Sequence, residues 1–219
     1  MTLSVKVSPS YPWAVIPQQV KDYGNGHREE RKLLEEHFKY YKDFRNESNC
    51  PPWVIGQRVG FEVLSPVSVN MTEIRDLQFS SEEDPQQIAK IFDLTDFWAR
   101  PGGYIGVSRN SWIRSFVYRN LENQWQSMFI PNGHGTIEWH LGIQVSIPDG
   151  YYLQISNHPA SNLTIPSGIL TKKQLEHQNT TGGMSLAIEP RHTQIMRMDP
   201  IAKITLLHRD SIQAQLETE

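Results

Sequence analysis

Three residues in the segment "GHGTIEWH" have side chains suited to chemistry: His134, Glu138 and His140. On a strand, Glu138 and His140 stand two apart and share one face, while His134 falls in the preceding turn. Two histidines and a carboxylate form the ligand set of non-haem iron centres, so a metal-dependent, oxygenase-like site is one reading. The spacing differs from the cupin pattern, and from the His-x-Asp of related oxygenases. A further ligand such as His192 or His208 would have to come from far downstream. The second reading needs no metal and expects no cofactor. In it, His140 is an acid–base or ligand group and Glu138 orients it. The plainest reading makes both polar residues of one sheet face, hydrogen-bonded to each other.

A second group follows in "SIPDGYYLQISNHPASNL". Pro148-Asp149-Gly150 is a turn signal, Tyr151 to Ser156 reads as a strand, and Asn157 and His158 open a polar loop. Loops held on sheets commonly carry binding residues, and Tyr151 or Tyr152 would supply a stacking wall. Turn formation alone also accounts for Asn, Pro and Ser at these places. Arg100, Arg109, Arg114 and Arg119 lie in the central third and could pair an anionic ligand, Arg100 foremost; dispersed surface arginines explain them as readily. Other chemistries find little support. There is no Gly-x-Ser-x-Gly elbow, and Cys50 precedes two prolines with no evident base. "GYIGVSRNS" lacks the third glycine and the following helix of a phosphate loop. Asp93 and Asp96 flank a helix end, and spacing alone marks no acid–base carboxylate pair.

Composition narrows the class. The 219 residues carry 21 basic and 24 acidic side chains, a net charge of −3, with the cations dispersed. No clustered basic footprint suggests nucleic acid. No apolar run approaches the roughly 20 residues of a membrane helix, and "MTLSVKVSPS" lacks the pattern of a secretory leader. One cysteine excludes an internal disulfide and multi-cysteine metal sites. The expectation is a soluble cytoplasmic protein with a small-molecule ligand. Six tryptophans, eight tyrosines and eight phenylalanines point to an aromatic-rich core.

The elements that must position these residues are mostly strands. "HREERKLLEEHFKYYKDFRN" repeats Leu34, Phe38 and Tyr41 at helical spacing with i,i+4 charge pairs, predicting an amphipathic helix over 27–45. A short central helix should begin at Asp84-Pro85, with Asp84 as cap, Pro85 in the first position and Gln87 in the capping-box place. Cys50-Pro51-Pro52-Trp53 should end the first unit, after which "VIGQRVGFEVL" alternates like a strand through Val59, Phe61 and Val63. From residue 133 to 208 nearly every segment reads as strand, including 136–145. The expectation is a mainly β fold (β-clip, sandwich or barrel-like) in a single domain, 1–219. Residues 1–50 would form an N-terminal arm plus helix, and 51–219 the β-rich body.

The C-terminal half resembles an uncharacterised bacterial domain family. The segments that carry the likeness are the strand ending at His140, then "PDGYYLQI", "SNHPASN", "SGIL" and "MDPIAKI", with Gly60-Phe61-Glu62 matching an early strand. Their order is distantly similar to the dUTPase and dCTP-deaminase β-clip fold. That family's phosphate segment is replaced here by Asn157-His158-Pro159, and the aspartate of its hairpin by Thr171. Its last strand has become Met198-Asp199-Pro200-Ile201-Ala202-Lys203. The resemblance therefore implies the scaffold without the catalytic parts, and a homo-oligomer as in many β-clip proteins. Two functions follow: a small-molecule binding protein or metabolic enzyme with a pocket between strand 136–145 and loop 156–162, or a non-catalytic oligomeric assembly protein.

Overall fold

The computed structural model describes residues 3–20, 32, 36–37, 51–72, 76–77, 84–100, 103–108, 111–132 and 136–217. Of the helix expected over 27–45, only Lys32, Glu36 and His37 are described, all helical; the rest lies outside the described residues.

The described chain is mainly β. In order come β1 (Lys6–Pro9), β2 (Gln18–Gln19), β3 (Phe61–Leu64), β4 (Val69–Met71), β5 (Asp76–Leu77), β6 (Leu94–Arg100), β7 (Gly103–Ser108), β8 (Val117–Arg119) and β9 (Trp125–Ser127). Then follow β10 (Phe129–Pro131), β11 (Ile137–His140), β12 (Ile143–Ser146), β13 (Tyr151–Asn157), β14 (Gly168–Leu170), β15 (Ser185–Ile188), β16 (Thr193–Ile195) and β17 (Pro200–His208). The α-helices with described bounds are α1 (Pro51–Arg58), α2 (Pro85–Ile91), α3 (Lys172–Thr180) and α4 (Arg209–Ile212), and Trp112–Ser115 forms a 3-10 helix.

The largest sheet has five strands in the order β14-β13-β17-β3-β2, and a second has the order β10-β11-β15. Every pairing in both is antiparallel. β13 shows why it lies here: Leu153 and Ile155 are buried, while Tyr152, Gln154 and Ser156 on the opposite face are half-buried. β11 is buried on both faces through Ile137, Trp139 and His140. One hydrophobic cluster runs from Tyr11 through Phe129, Trp139, Leu153 and Leu186 to Ile204. Full burial of side chains of this size stabilises by about 1.5–3 kcal/mol each.

Three expectations need correction. Residues 51–58 are helical rather than the start of a strand, with Pro51 and Pro52 opening α1, since proline suits a first helical turn whose N–H groups have no internal partner. The strand therefore begins at Phe61, and Val59 sits in the bend before it. Residues 136–145 are not one strand: β11 ends at His140 and β12 starts at Ile143. Gly142 turns the chain there with φ +66°, and Trp13 packs so closely that a Cβ would lie 2.5 Å from its ring. Finally, 172–180 is helical rather than strand or loop. Thr171 caps α3, accepting from Gln174 N while the Gln174 side chain accepts from Thr171 N. The central helix α2 forms as expected, capped by Asp84 with Pro85 in its first turn.

Candidate functional site

β11 lies between β10 and β15, with Glu138 opposite Ala187 and His140 opposite Ser185. The pleat turns Glu138 and His140 to one face and Trp139, tilted against Phe129 with centroids 5.0 Å apart, to the other. His140 is 7% exposed. Its Nε2 lies 3.8 Å from Glu138 Oε1, and the Glu138 side chain is 42% exposed. Ser185 Oγ donates to that same carboxylate oxygen at 2.6 Å and faces Gln178 Nε2 of α3 at 3.4 Å. Asn179 fixes α3 to the sheet by pairing with both the N–H and the C=O of Val145, each at 3.0 Å.

Two tyrosines complete the cluster. β1 pairs with β12 along Lys6↔Ser146 to Pro9↔Ile143, which carries the following residues over the β11–β12 turn. There Tyr11 stacks on Trp13 with centroids 5.2 Å apart, and both meet the ring of Tyr118 from β8 at 5.0 Å. The two phenol oxygens converge on the turn after α3: a Cβ on Gly182 would lie 3.6 Å from that of Tyr118 and 3.8 Å from that of Tyr11. Gly182 itself holds φ +124°, a conformation natural to glycine.

The hydrogen bonding of this group is incomplete. The Tyr11 and Tyr118 hydroxyls, both ring nitrogens of His140 and Gln178 Oε1 are buried with no hydrogen-bond partner. Ser10 Oγ, beside Tyr11 in the chain, and Trp139 Nε1, on the far face of β11, are the other orphaned side-chain atoms among the described residues. Burial pushes the His140 pKa below its ordinary 6.5, and Glu138 only partly opposes this, so the imidazole is neutral at pH 7. Burial pushes the Tyr118 phenol well above its usual range, with Tyr11 and Glu138 adding to the shift. Tyr11 is raised by burial too, with the Leu121 backbone opposing it. At neutral pH the cluster thus offers two phenol donors, an amide acceptor and a neutral imidazole. Glu138 forms its solvent-facing edge.

The loop group stands apart. Asn157 ends β13 and His158 follows it, on the five-stranded sheet. His158 is 3% exposed, and its Nε2 lies 3.1 Å from Glu62 Oε1 on β3. Its Nδ1 accepts from Ala160 N, and Asn157 Oδ1 accepts from Ile165 N. Both side chains thus shape the loop. A cavity of about 240 Å³ opens on its outer side, lined by Ala160, Ser161 and Asn162 together with residues 193–195 and 199–201. No residue of 136–145 lines it, so His140 and Glu138 are not joined to this loop there. Tyr151 begins β13, six residues before Asn157, hence about 20 Å away. It packs on His208 at 5.0 Å and forms no wall for the loop. Arg100 ends β6 opposite Gly103, on a third sheet. His134 lies outside the described residues, and no group of three metal-ligating side chains occurs among the described ones. No helix among them is long and apolar enough to cross a membrane.

Tyr11, Tyr118, Gln178 and Ser185 were not singled out from the sequence. Tyr11 and Tyr118 lie far along the chain from Gln178 and Ser185, and the β1–β12 and β11–β15 registers help to bring Tyr11 and Ser185 to the cluster. The one local signal was the capping box Thr171-x-x-Gln174, which announces the helix that carries Gln178.

No family model and no curated protein matches this chain. Among solved structures it is similar to a dUTPase from phage phi11 of S. aureus, with 10% identity and a TM-score of 0.40, covering 94% of this chain and 90% of that one. It is similar also to the dUTPase of Staphylococcus bacteriophage 80alpha with dUpNHpp bound, at 10% identity and a TM-score of 0.39, covering 94% and 83%. A further variant of the phage 80alpha enzyme gives 9% and 0.40, covering 95% and 85%. At these values the likeness assigns neither a family nor an activity to this chain.

Proposed function

We propose that this β protein binds a small, uncharged, polar molecule at the Tyr11–Tyr118–Glu138–His140–Gln178 cluster. The observation that carries the reading is the set of five buried polar atoms, on four side chains, without partners. Leaving such an atom unsatisfied costs about 1–3 kcal/mol, so five together would cost about 5–15 kcal/mol. That equals the whole net stability of a typical domain. Perturbed ionisable groups gathered with orphaned donors are more characteristic of sites than of cores.

The chemistry of the groups selects the class. Glu138 repels an anion, and neither His140 nor the phenols carry charge at pH 7 to attract one. The tyrosine O–H groups suit a carbonyl or hydroxyl oxygen, and Gln178 Oε1 suits an N–H or O–H. Tyr11 and Trp13 supply an apolar wall. Should the bound molecule react, His140 is the group that takes a proton, Glu138 stabilises the imidazolium, and the phenols steady developing negative charge on oxygen.

A thermal-shift panel tests this, because a ligand that binds only the native state raises the melting point by mass action. Amides, sugars and nucleosides should include a class that raises Tm, with no rise in His140→Gln or Tyr118→Phe. A response that survives in both variants, or that comes only from anions, would contradict the proposal.

A further inference from the structure

The cavity beside loop 160–162 is a second site with a chemistry of its own, and we propose that it binds small primary amines in their protonated form. Its volume, about 240 Å³, equals roughly eight water molecules and lies just below the range of drug-sized pockets, so the occupant is small. Apolar lining comes from the buried Ile195 and Ile201 and from Pro200 and Ala160. The rim is polar, made of Ser161, Asn162, Thr193, Gln194 and Asp199.

Asp199 is the one charged residue of this lining, and no lysine, arginine or histidine joins it. The neighbouring cation in sequence, Arg197, places its Nε 3.0 Å from the Pro66 carbonyl instead. A cavity with one carboxylate, several neutral acceptors and some apolar lining suits an ammonium on a short carbon chain. It disfavours phosphate or carboxylate ligands.

The walls are preorganised, which lowers the cost of ordering them around a ligand. On one side His158 is held by Glu62, and the His158 carbonyl accepts from Ser161 N at 2.9 Å. Ser161 Oγ accepts from Leu163 N at 3.2 Å. On the other, Asp199 Oδ2 accepts from Met196 N at 2.7 Å, closing a turn in which Met198 holds φ +77°. A non-glycine residue in that conformation is uncommon, and here it sits in the turn that presents the carboxylate.

The test is an amide-detected NMR titration of the full chain with ethanolamine, and with acetate as the anionic control. Ethanolamine should move the amides of Ser161, Asn162 and Gln194, and acetate should not. Asp199→Asn keeps an acceptor for Met196 N and should weaken binding about fivefold, the scale of an exposed ion pair. Gln194→Glu adds a second carboxylate at an exposed rim position and should strengthen it by a similar factor. Equal binding of acetate, or an unchanged affinity in both variants, would overturn the proposal. His140→Gln should leave ethanolamine binding intact, so failure here and failure of the His140 site are separable.

Discussion

Nε2 of His140 lies 3.8 Å from Glu138 Oε1, just beyond hydrogen-bond reach, because Ser185 Oγ already holds that oxygen at 2.6 Å. The two groups therefore sense each other's charge without sharing a proton. Glu138 is the influence that raises the His140 pKa against burial. Glu138→Gln should move the NMR titration midpoint of the His140 ring further down. Ser185→Ala frees the carboxylate to close on the ring and should move it up. Identical midpoints in all three proteins would mean that the pair is uncoupled.

The same burial makes stability depend on acid. The folded pKa of His140 lies below the 6.5 of the free side chain, so the unfolded chain binds the proton more readily. The contribution is complete above about pH 6.5 and is lost as the pH falls through the depressed folded value. Urea unfolding of wild type and His140→Gln from pH 8 to pH 5 should show a constant difference above that point. Below it, wild type should decline more steeply than the variant.

Gly142 is placed for Trp13. Alanine there meets both a positive φ and a tryptophan ring 2.5 Å from the new Cβ. Gly142→Ala should destabilise by about 1–3 kcal/mol and disturb the Tyr11–Trp13–Tyr118 stack. Urea unfolding measures the first and near-ultraviolet circular dichroism the second.

Much of the scaffold was legible in local signals, and the site only in part. The run Leu153-Gln154-Ile155 alternates and forms a strand, and Asp84-Pro85 starts a helix as its chemistry requires. Glu138 and His140 could be paired because a two-residue period fixes their shared face. α3 was missed because Leu175 is its one buried residue, so "KKQLEHQNT" carries almost no apolar stripe. Missing α3 hid Gln178. Tyr11 and Tyr118 were invisible for another reason: β1 on β12 carries the one and β8 on β9 the other, and no local pattern encodes how those pairs meet.

The role of α3 gives a further prediction. Thr171→Ala removes the cap and should cost about 1 kcal/mol. Because Asn179 ties this helix to β12 and Gln178 reaches Ser185, the loss should loosen the cluster as well. Faster hydrogen exchange at Val145 N would register it; unchanged exchange there would show that α3 does not brace the site.

The central claim is that the cluster's polar atoms serve a ligand rather than the fold. The direct measurement is the unfolding free energy of Tyr118→Phe, which removes an orphaned hydroxyl and little else. A ligand-serving hydroxyl predicts a variant at least as stable as wild type, because a buried group without a partner in the folded chain costs stability rather than adding it. A loss of about 2 kcal/mol or more would contradict the account, since it would mean that the hydroxyl is already bonded within the folded chain.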